Sequence, residues 1–257
     1  MGEKAKLDEG PGLFPGLPIR AVRCDPMGVS ADCKQVCRCN DGSDYAIKSA
    51  SDIPTMPHNE WFCAKLADLV GLATPVGKVV EVDGGNSFGS RWQSGEESSW
   101  WISAKSGKFD FADLAPALSR IFAFDLFVHN GDRHLNNYFV HQQRTGPAVL
   151  AMDFGRAWLF NGFPLPSLPM NKGENTIGDF NKLRVLFGDF IRIDEVKEVT
   201  RGLRDVKTAQ AREIINQHPK QWLSESQKSA IEDWWSSDGR TARIDQVEEG
   251  ISDGSFL

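Results

Sequence analysis

Long apolar runs are absent from this chain of 257 residues, and with them the roughly 20 consecutive apolar residues that a membrane-spanning helix needs. The start, Met1 to Lys6, is broken by Lys and Glu and lacks the apolar centre of a secretory signal. Basic excess is missing too: the net charge is −6, so the electrostatic footprint of a direct nucleic-acid binder is not there. These absences lead us to expect a cytoplasmic protein that touches neither membrane nor nucleic acid. No internal repeat or heptad run occurs. Paired Cys-x-x-Cys knuckles are also lacking. Four of the five cysteines, Cys24, Cys33, Cys37 and Cys39, fall early, and the last three alternate along an apparent strand; we expect a row of buried reduced thiols rather than zinc ligands. A glycine-rich phosphate loop is hard to find, since the one candidate, Asp25 to Asp32, holds only Gly28.

What is present is concentrated. His129-Asn130-Gly131-Asp132-Arg133-His134-Leu135-Asn136-Asn137 is followed, after the apolar run Ala148 to Met152, by Asp153-Phe154-Gly155. Phosphoryl transfer needs a carboxylate at the attacking hydroxyl and oxygen ligands that hold magnesium against the phosphates. Asp132 is the candidate catalytic carboxylate, and Asn137 and Asp153 the candidate metal ligands. Either half alone reads as a turn rich in Asn, Gly and Asp; together, in this order and spacing, they suit a catalytic loop and a metal site. Such a loop predicts an upstream lysine at a strand end. Tyr45-Ala46-Ile47-Lys48, after the turn at Asn40 to Ser43, supplies Lys48 for the nucleotide phosphates, and Glu60, opening a helix from about His58 to Val70, is its expected partner.

Punctuation divides the rest. Residues 1–18 form an irregular lead-in with alternating Gly and Pro. Residues 19–105 form a small, mainly antiparallel β lobe with one helix, with strands near Gly77–Val82 and Ser99–Ala104, and with Asp83 to Glu97 as an exposed turn or lid. Residues 106–257 form a larger, mainly helical lobe: a buried helix from Phe111 to Val128 leads into the catalytic loop, Trp158 to Pro169 is an irregular activation-like segment, and helices lie near Phe180–Phe187, Ile193–Leu203, Ala209–Gln217 and Ser224–Trp235, the last opened by a Ser224 to Gln227 capping box. The fold class is therefore α+β. Trp101 and Ile102 approach the junction, where they would line an adenine site or simply pack in the core.

On Tyr45 to Lys48, Asn59-Glu60, Phe88 to Arg91, Gly131 to Asn137 and Met152 to Gly155, residues 17 to 160 resemble the HipA-like serine/threonine protein kinases and, more distantly, the phosphatidylinositol-kinase-like group. The resemblance implies a two-lobed protein-kinase-like fold, ATP and Mg2+ as cofactors, and a serine or threonine acceptor on a protein. It also implies a serine in the short phosphate loop that can be autophosphorylated; Ser30 is the matching position, and equally suits a turn serine bonded to local backbone. A DNA-binding, antitoxin-like partner is expected from the resemblance alone. Other readings stay open: a silent nucleotide- or partner-binding module, AMP transfer, and a lipid or small-molecule acceptor.

Overall fold

The computed structural model describes residues 18–27, 35–92, 99–144 and 146–256. Its first part comprises β1 (Ile19–Pro26), β2 (Gln35–Cys39), β3 (Asp44–Lys48), α1 (Met56–Leu69), β4 (Gly77–Val82) and β5 (Gly85–Arg91). The strands pair in the order β1-β2-β3-β5-β4 and the sheet closes into a barrel. Every pairing is antiparallel except the closing one, in which Ile19 and Arg20 of β1 run parallel to Val80 and Glu81 of β4. The mixed α+β class expected from the sequence is present; the closure was not anticipated.

Three expectations need correction here. Asp83 to Trp92, the described part of the stretch Asp83 to Glu97, is not one exposed turn; residues 93–97 lie outside the described residues. Asp83 and Gly84 alone reverse the chain, both at positive φ, the geometry that lets a two-residue turn match strand twist, and Gly85–Arg91 returns as β5. Ser99 to Ala104 is not a strand: Trp100–Lys105 forms the short helix α2. The β-favouring bulk of Trp-Trp-Ile is overruled by packing, since Trp100 is buried in the core and its Nε1 donates to Leu135 O at 2.8 Å. Nor are the cysteines a row of reduced thiols. Cys24 lies opposite Cys37 in the β1–β2 register and the two form a disulfide, while Cys39 is free and buried. Alternation within β2 was visible in the sequence; the strand that pairs with it was not. Cys33 and Ser30 lie outside the described residues.

The rest is mainly helical. α3 (Ala115–Val128) and the hairpin of β6 (Tyr138–Gln143) with β7 (Gly146–Ala151) flank the Gly131–Asn137 segment. Then come α4 (Asn175–Phe187), α5 (Ile193–Asp205), α6 (Thr208–Asn216), α7 (Glu225–Ser236) and α8 (Asp238–Ser252). The expected capping box is there: the Ser224 hydroxyl accepts from Gln227 N at 3.2 Å and Ser224 N donates to Gln227 Oε1 at 2.9 Å. Helix α8 was missed, because Ser236-Ser237-Asp238-Gly239 reads as a loop; Ser237 is in fact its N-cap, accepting from Gly239 N.

Two apolar clusters result. A large one runs from Phe62 and Leu66 of α1 through α3 to Trp235 and Ile244 of the last helices. A small one, Cys37, Cys39, Tyr45, Ile47 and Val80, fills the barrel. Although α1 is threaded between barrel strands, it is buried nearly all round and belongs to the large cluster. Among the described residues no helix is long and apolar enough to cross a membrane.

Candidate active site

Lys48 ends β3 with its side chain buried, and its ammonium donates to two carboxylates, Glu60 of α1 and Asp153 Oδ1, the latter at 2.7 Å. Glu60 Oε1 also accepts from Phe154 N at 2.9 Å, and Asn59 Nδ2 donates to Gly155 O at 3.0 Å, so α1 grips the Asp-Phe-Gly segment on both sides of Phe154. Asp153 follows β7 at φ 66°, a left-handed turn that Asp tolerates better than bulkier residues. Burial works against the Lys48 ammonium, yet the facing Asp153 and Glu60 outweigh it and hold its pKa above the usual lysine range. Burial likewise opposes ionisation of Asp153, but Lys48 prevails and holds that carboxyl below its ordinary value. Glu60 goes the other way: burial, helped by the Asp153 charge, pushes its carboxyl up despite Lys48. Two acids thus share one cation.

The loop carrying Asp132 begins where α3 ends. His129 closes that helix in the left-handed conformation at φ 52°. No glycine eases this cap. Instead Asn161 Nδ2 donates to His129 O at 2.8 Å, and Arg243 of α8 donates to Phe127 O at 2.6 Å and Leu126 O at 2.8 Å, satisfying carbonyls that a helix end leaves open. Gly131 follows, and a side chain there would collide with the Glu174 carboxylate. Beneath the loop, Arg133 and Asp125 of α3 are both fully buried and joined by two bonds, Nε to Oδ2 at 2.8 Å and an Nη to Oδ1 at 3.0 Å. Arg133 also donates to Asn137 O at 2.8 Å and to Met152 O, tying the end of the loop to the residue before Asp153.

Asp132 and Asn137 meet within this frame: Asn137 Nδ2 donates to Asp132 O at 2.9 Å. That commits the amide nitrogen and leaves the carbonyl oxygen as the atom a cation would take. The donor set suits magnesium, a hard cation that accepts oxygen ligands from one or two side chains and completes its shell with water and phosphate. Among the described residues no group of three or more His, Cys, Asp or Glu side chains could hold a metal alone. Lys48, Glu60 and Asp153 are brought into contact; Asn137, joined to Asp132, is tied to the residue before Asp153 through Met152 N, which donates to Asn137 O at 3.2 Å. Trp101 and Ile102 are not joined to them by any described bond. Both lie on α2, where Ile102 is 59% exposed, and it is Trp100 that ties this helix to the catalytic loop.

Sequence reasoning missed the residues that hold the loop from the far side. The first turns of α4 supply three: Asn175 Nδ2 donates to Asp132 Oδ1 at 2.6 Å, Thr176 Oγ1 accepts from Arg133 N at 3.0 Å and donates to Asn130 O, and Asp179 Oδ2 accepts from Leu135 N at 3.0 Å. Arg156, just past the Asp-Phe-Gly segment, sets its Nε 3.6 Å from Asp132 Oδ2. A polar cluster opening a helix was the available signal, but it names no partner.

A family model described as HipA-like kinase matches residues 29–158. Among solved structures, the chain is similar to the Helicobacter pylori proinflammatory kinase CtkA, with a TM-score of 0.60 at 12% identity over 93% of this chain and 100% of that one. It is also similar to HipA of Shewanella oneidensis MR-1, solved in complex with HipB and operator DNA, with a TM-score of 0.52 at 12% identity over 92% of this chain and 75% of that one. No curated protein matches significantly. At such identity the solved structures speak for the fold, and the family model, spanning half of the sequence, speaks for kinship: this chain belongs to the HipA-like kinases, a family of kinase-type phosphotransferases.

Proposed function

We propose that the protein is an ATP- and magnesium-dependent kinase that phosphorylates serine or threonine on a protein, with the two-lobed arrangement of a protein kinase and Lys48, Glu60 and Asp153 at the seam. The observation that carries this reading is the Lys48 ammonium held between Glu60 and Asp153. Magnesium ATP, when bound, supplies the phosphoryl group and a cation that offsets its charge. Lys48, oriented by Glu60, turns its charge to the phosphate oxygens; Asp153 and Asn137 present oxygen ligands. Asp132 positions the acceptor hydroxyl and takes its proton late, since a loose transition state needs little activation of the nucleophile. Trp101 and Ile102 are proposed for the adenine side and Ser30 for the phosphate loop and self-modification.

The acidic charge balance favours a protein acceptor over a membrane lipid and speaks against direct nucleic-acid contact. The likeness to HipA supports a DNA-binding antitoxin-like partner, and kinship with the HipA-like kinases supports a cytoplasmic location. The test is incubation of the purified protein with ATP and magnesium, followed by intact-mass measurement and by phosphoproteomics of cells expressing wild type or Asp132→Asn. Wild type should add phosphate to serine or threonine, and Asp132→Asn should lose about 10²- to 10⁴-fold in rate while still binding ATP. An AMP adduct, or label only on lipid, would overturn the protein-kinase reading. Asp153→Ala and Asn137→Ala should raise the magnesium requirement for ATP binding; an unchanged magnesium titration would relocate the metal.

A further inference from the structure

An aspartate that must present one oxygen to a hydroxyl has a problem of its own: its carboxylate turns about a broad, two-fold torsion. Something has to fix that rotation. In this protein Asn175 does so from a different part of the chain, with its Nδ2 2.6 Å from Asp132 Oδ1. A carboxylate only accepts, so the nitrogen face of the amide is the one turned to it. Asn175 is itself held in place. It is the first residue of α4, and the next residue, Thr176, bonds the backbone on both sides of Asp132: its hydroxyl donates to Asn130 O and accepts from Arg133 N, while Thr176 N donates to Gly131 O at 3.3 Å. Asp179, one turn on, takes Leu135 N. The loop and the helix end thus form one unit, which sets the exposed Asn175 side chain beside the Asp132 carboxylate.

We propose that Asn175 is a positioning residue for phosphoryl transfer: it pins Asp132 Oδ1 so that Oδ2 is the oxygen presented to the acceptor hydroxyl. Arg156 Nε stands 3.6 Å from that Oδ2. This rests on the reading that Asp132 positions the acceptor. Because the contacts among Lys48, Glu60 and Asp153 do not pass through Asn175, loss of its amide acts on turnover and leaves nucleotide binding alone.

The test uses the full chain with magnesium ATP, reading transfer to itself and to casein. Asn175→Ala should lower kcat about tenfold, the usual scale for a lost bond to a charged group, with KM for ATP within about twofold of wild type and the urea midpoint unchanged. Asn175→Gln, which keeps the amide on a longer stem, should recover part of the loss. Asn175→Asp, which sets a second carboxylate against Asp132, should fall below Asn175→Ala. Wild-type kcat in Asn175→Ala, a loss that appears in KM for ATP instead, or a glutamine variant no better than alanine would each overturn the proposal while the kinase reading stands. If wild type itself transfers no phosphate, the kinase reading fails first and this role goes with it.

Discussion

The barrel and the helical part of this molecule are held together in different ways. Inside the barrel, five side chains form the buried cluster, and β1 is fastened to β2 by the Cys24–Cys37 disulfide. Ion pairs between its own strands lie on the surface, as in Arg20 with Glu81 and Arg38 with Asp44, and exposed pairs of this kind contribute about 0 to 1 kcal/mol. The helical part has a continuous aromatic core in which Phe62 stacks on Trp158 at 4.8 Å and Phe122 on Phe180 at 3.8 Å. That core encloses a fully buried ion pair, Arg133 with Asp125. Such a pair repays its desolvation through geometry and further hydrogen bonds, here the two Arg133–Asp125 bonds and those from Arg133 to Asn137 O and Met152 O. The difference assigns the work: the helical part, with α1, builds the geometry around Asp132, Asn137 and Asp153, and the barrel delivers Lys48.

The most severe way to break this division is to remove one partner of the buried pair. In Asp125→Ala the Arg133 guanidinium stays buried without its carboxylate, which costs about 3–5 kcal/mol. Arg133 also fixes Asn137 O and Met152 O, so the loop and the approach to Asp153 loosen together. Urea unfolding followed by tryptophan fluorescence should show a much lower midpoint, with phosphotransfer lost. A variant as stable as wild type would mean that the aromatic core, not the ion pair, holds the Asp132–Asn137 loop.

A smaller change should strike the barrel alone. The disulfide spans 13 residues, and loop-closure entropy for a ring of that order is worth about 3 kcal/mol. With Cys24→Ser and Cys37→Ser together, amide exchange should quicken along Ile19–Pro26, Gln35–Cys39 and Asp44–Lys48 while α3 and the catalytic loop keep their protection. Equal loss of protection in both regions would show that they open as one cooperative unit, and the contrast drawn above would fall.

The same contrast governs what could be read from the sequence. Lys48, Glu60, Asp132, Asn137 and Asp153 stood out because phosphoryl transfer dictates residue type and order, and the structure sets Lys48 against Glu60 and Asp153. Long helices with apolar periodicity were visible; so was the capping box at Ser224. Residues that matter through distant partners were not. Nothing local to Asn175, Thr176 or Asp179 announces a bond to a loop some forty residues earlier, and nothing in β1 announces that Cys24 faces Cys37. Strand β5 was legible in principle, since Asp83-Gly84 is a strong hairpin signal, but its polar and glycine-rich content masked the alternation.

The finest probe of the contrast lies at the seam, where α1 meets the helical part. His58 of α1 and His218, after α6, are both buried, with His58 Nδ1 2.9 Å from His218 Nε2. Pro219 O, 2.9 Å from His218 Nδ1, can only accept, so His218 carries its proton on Nδ1 and its bare Nε2 accepts from His58 Nδ1. His58 Nε2 is then left without a hydrogen-bond partner. A further proton has no good place: on His58 Nε2 it would be a buried donor without an acceptor, and on His218 Nε2 it would face the His58 N–H. Burial, with each His58 charge also opposed by its neighbour His218 and each His218 charge by Lys228, lowers both pKa values. For histidines depressed in the folded state, the unfolded chain binds protons first as pH falls through about 6.5, so stability is full above that value and declines below it, by up to about 1.4 kcal/mol per pH unit for each group. The raised Glu60 carboxyl acts in the opposite sense, and that contribution is common to both proteins and cancels in the comparison. The difference in urea midpoint between wild type and the His58→Gln, His218→Gln double variant, measured from pH 7.5 down to 5.5, isolates the pair. Wild type should lose stability on acidification faster than the variant; parallel curves would show that the seam between α1 and the helical part is not closed by two neutral histidines.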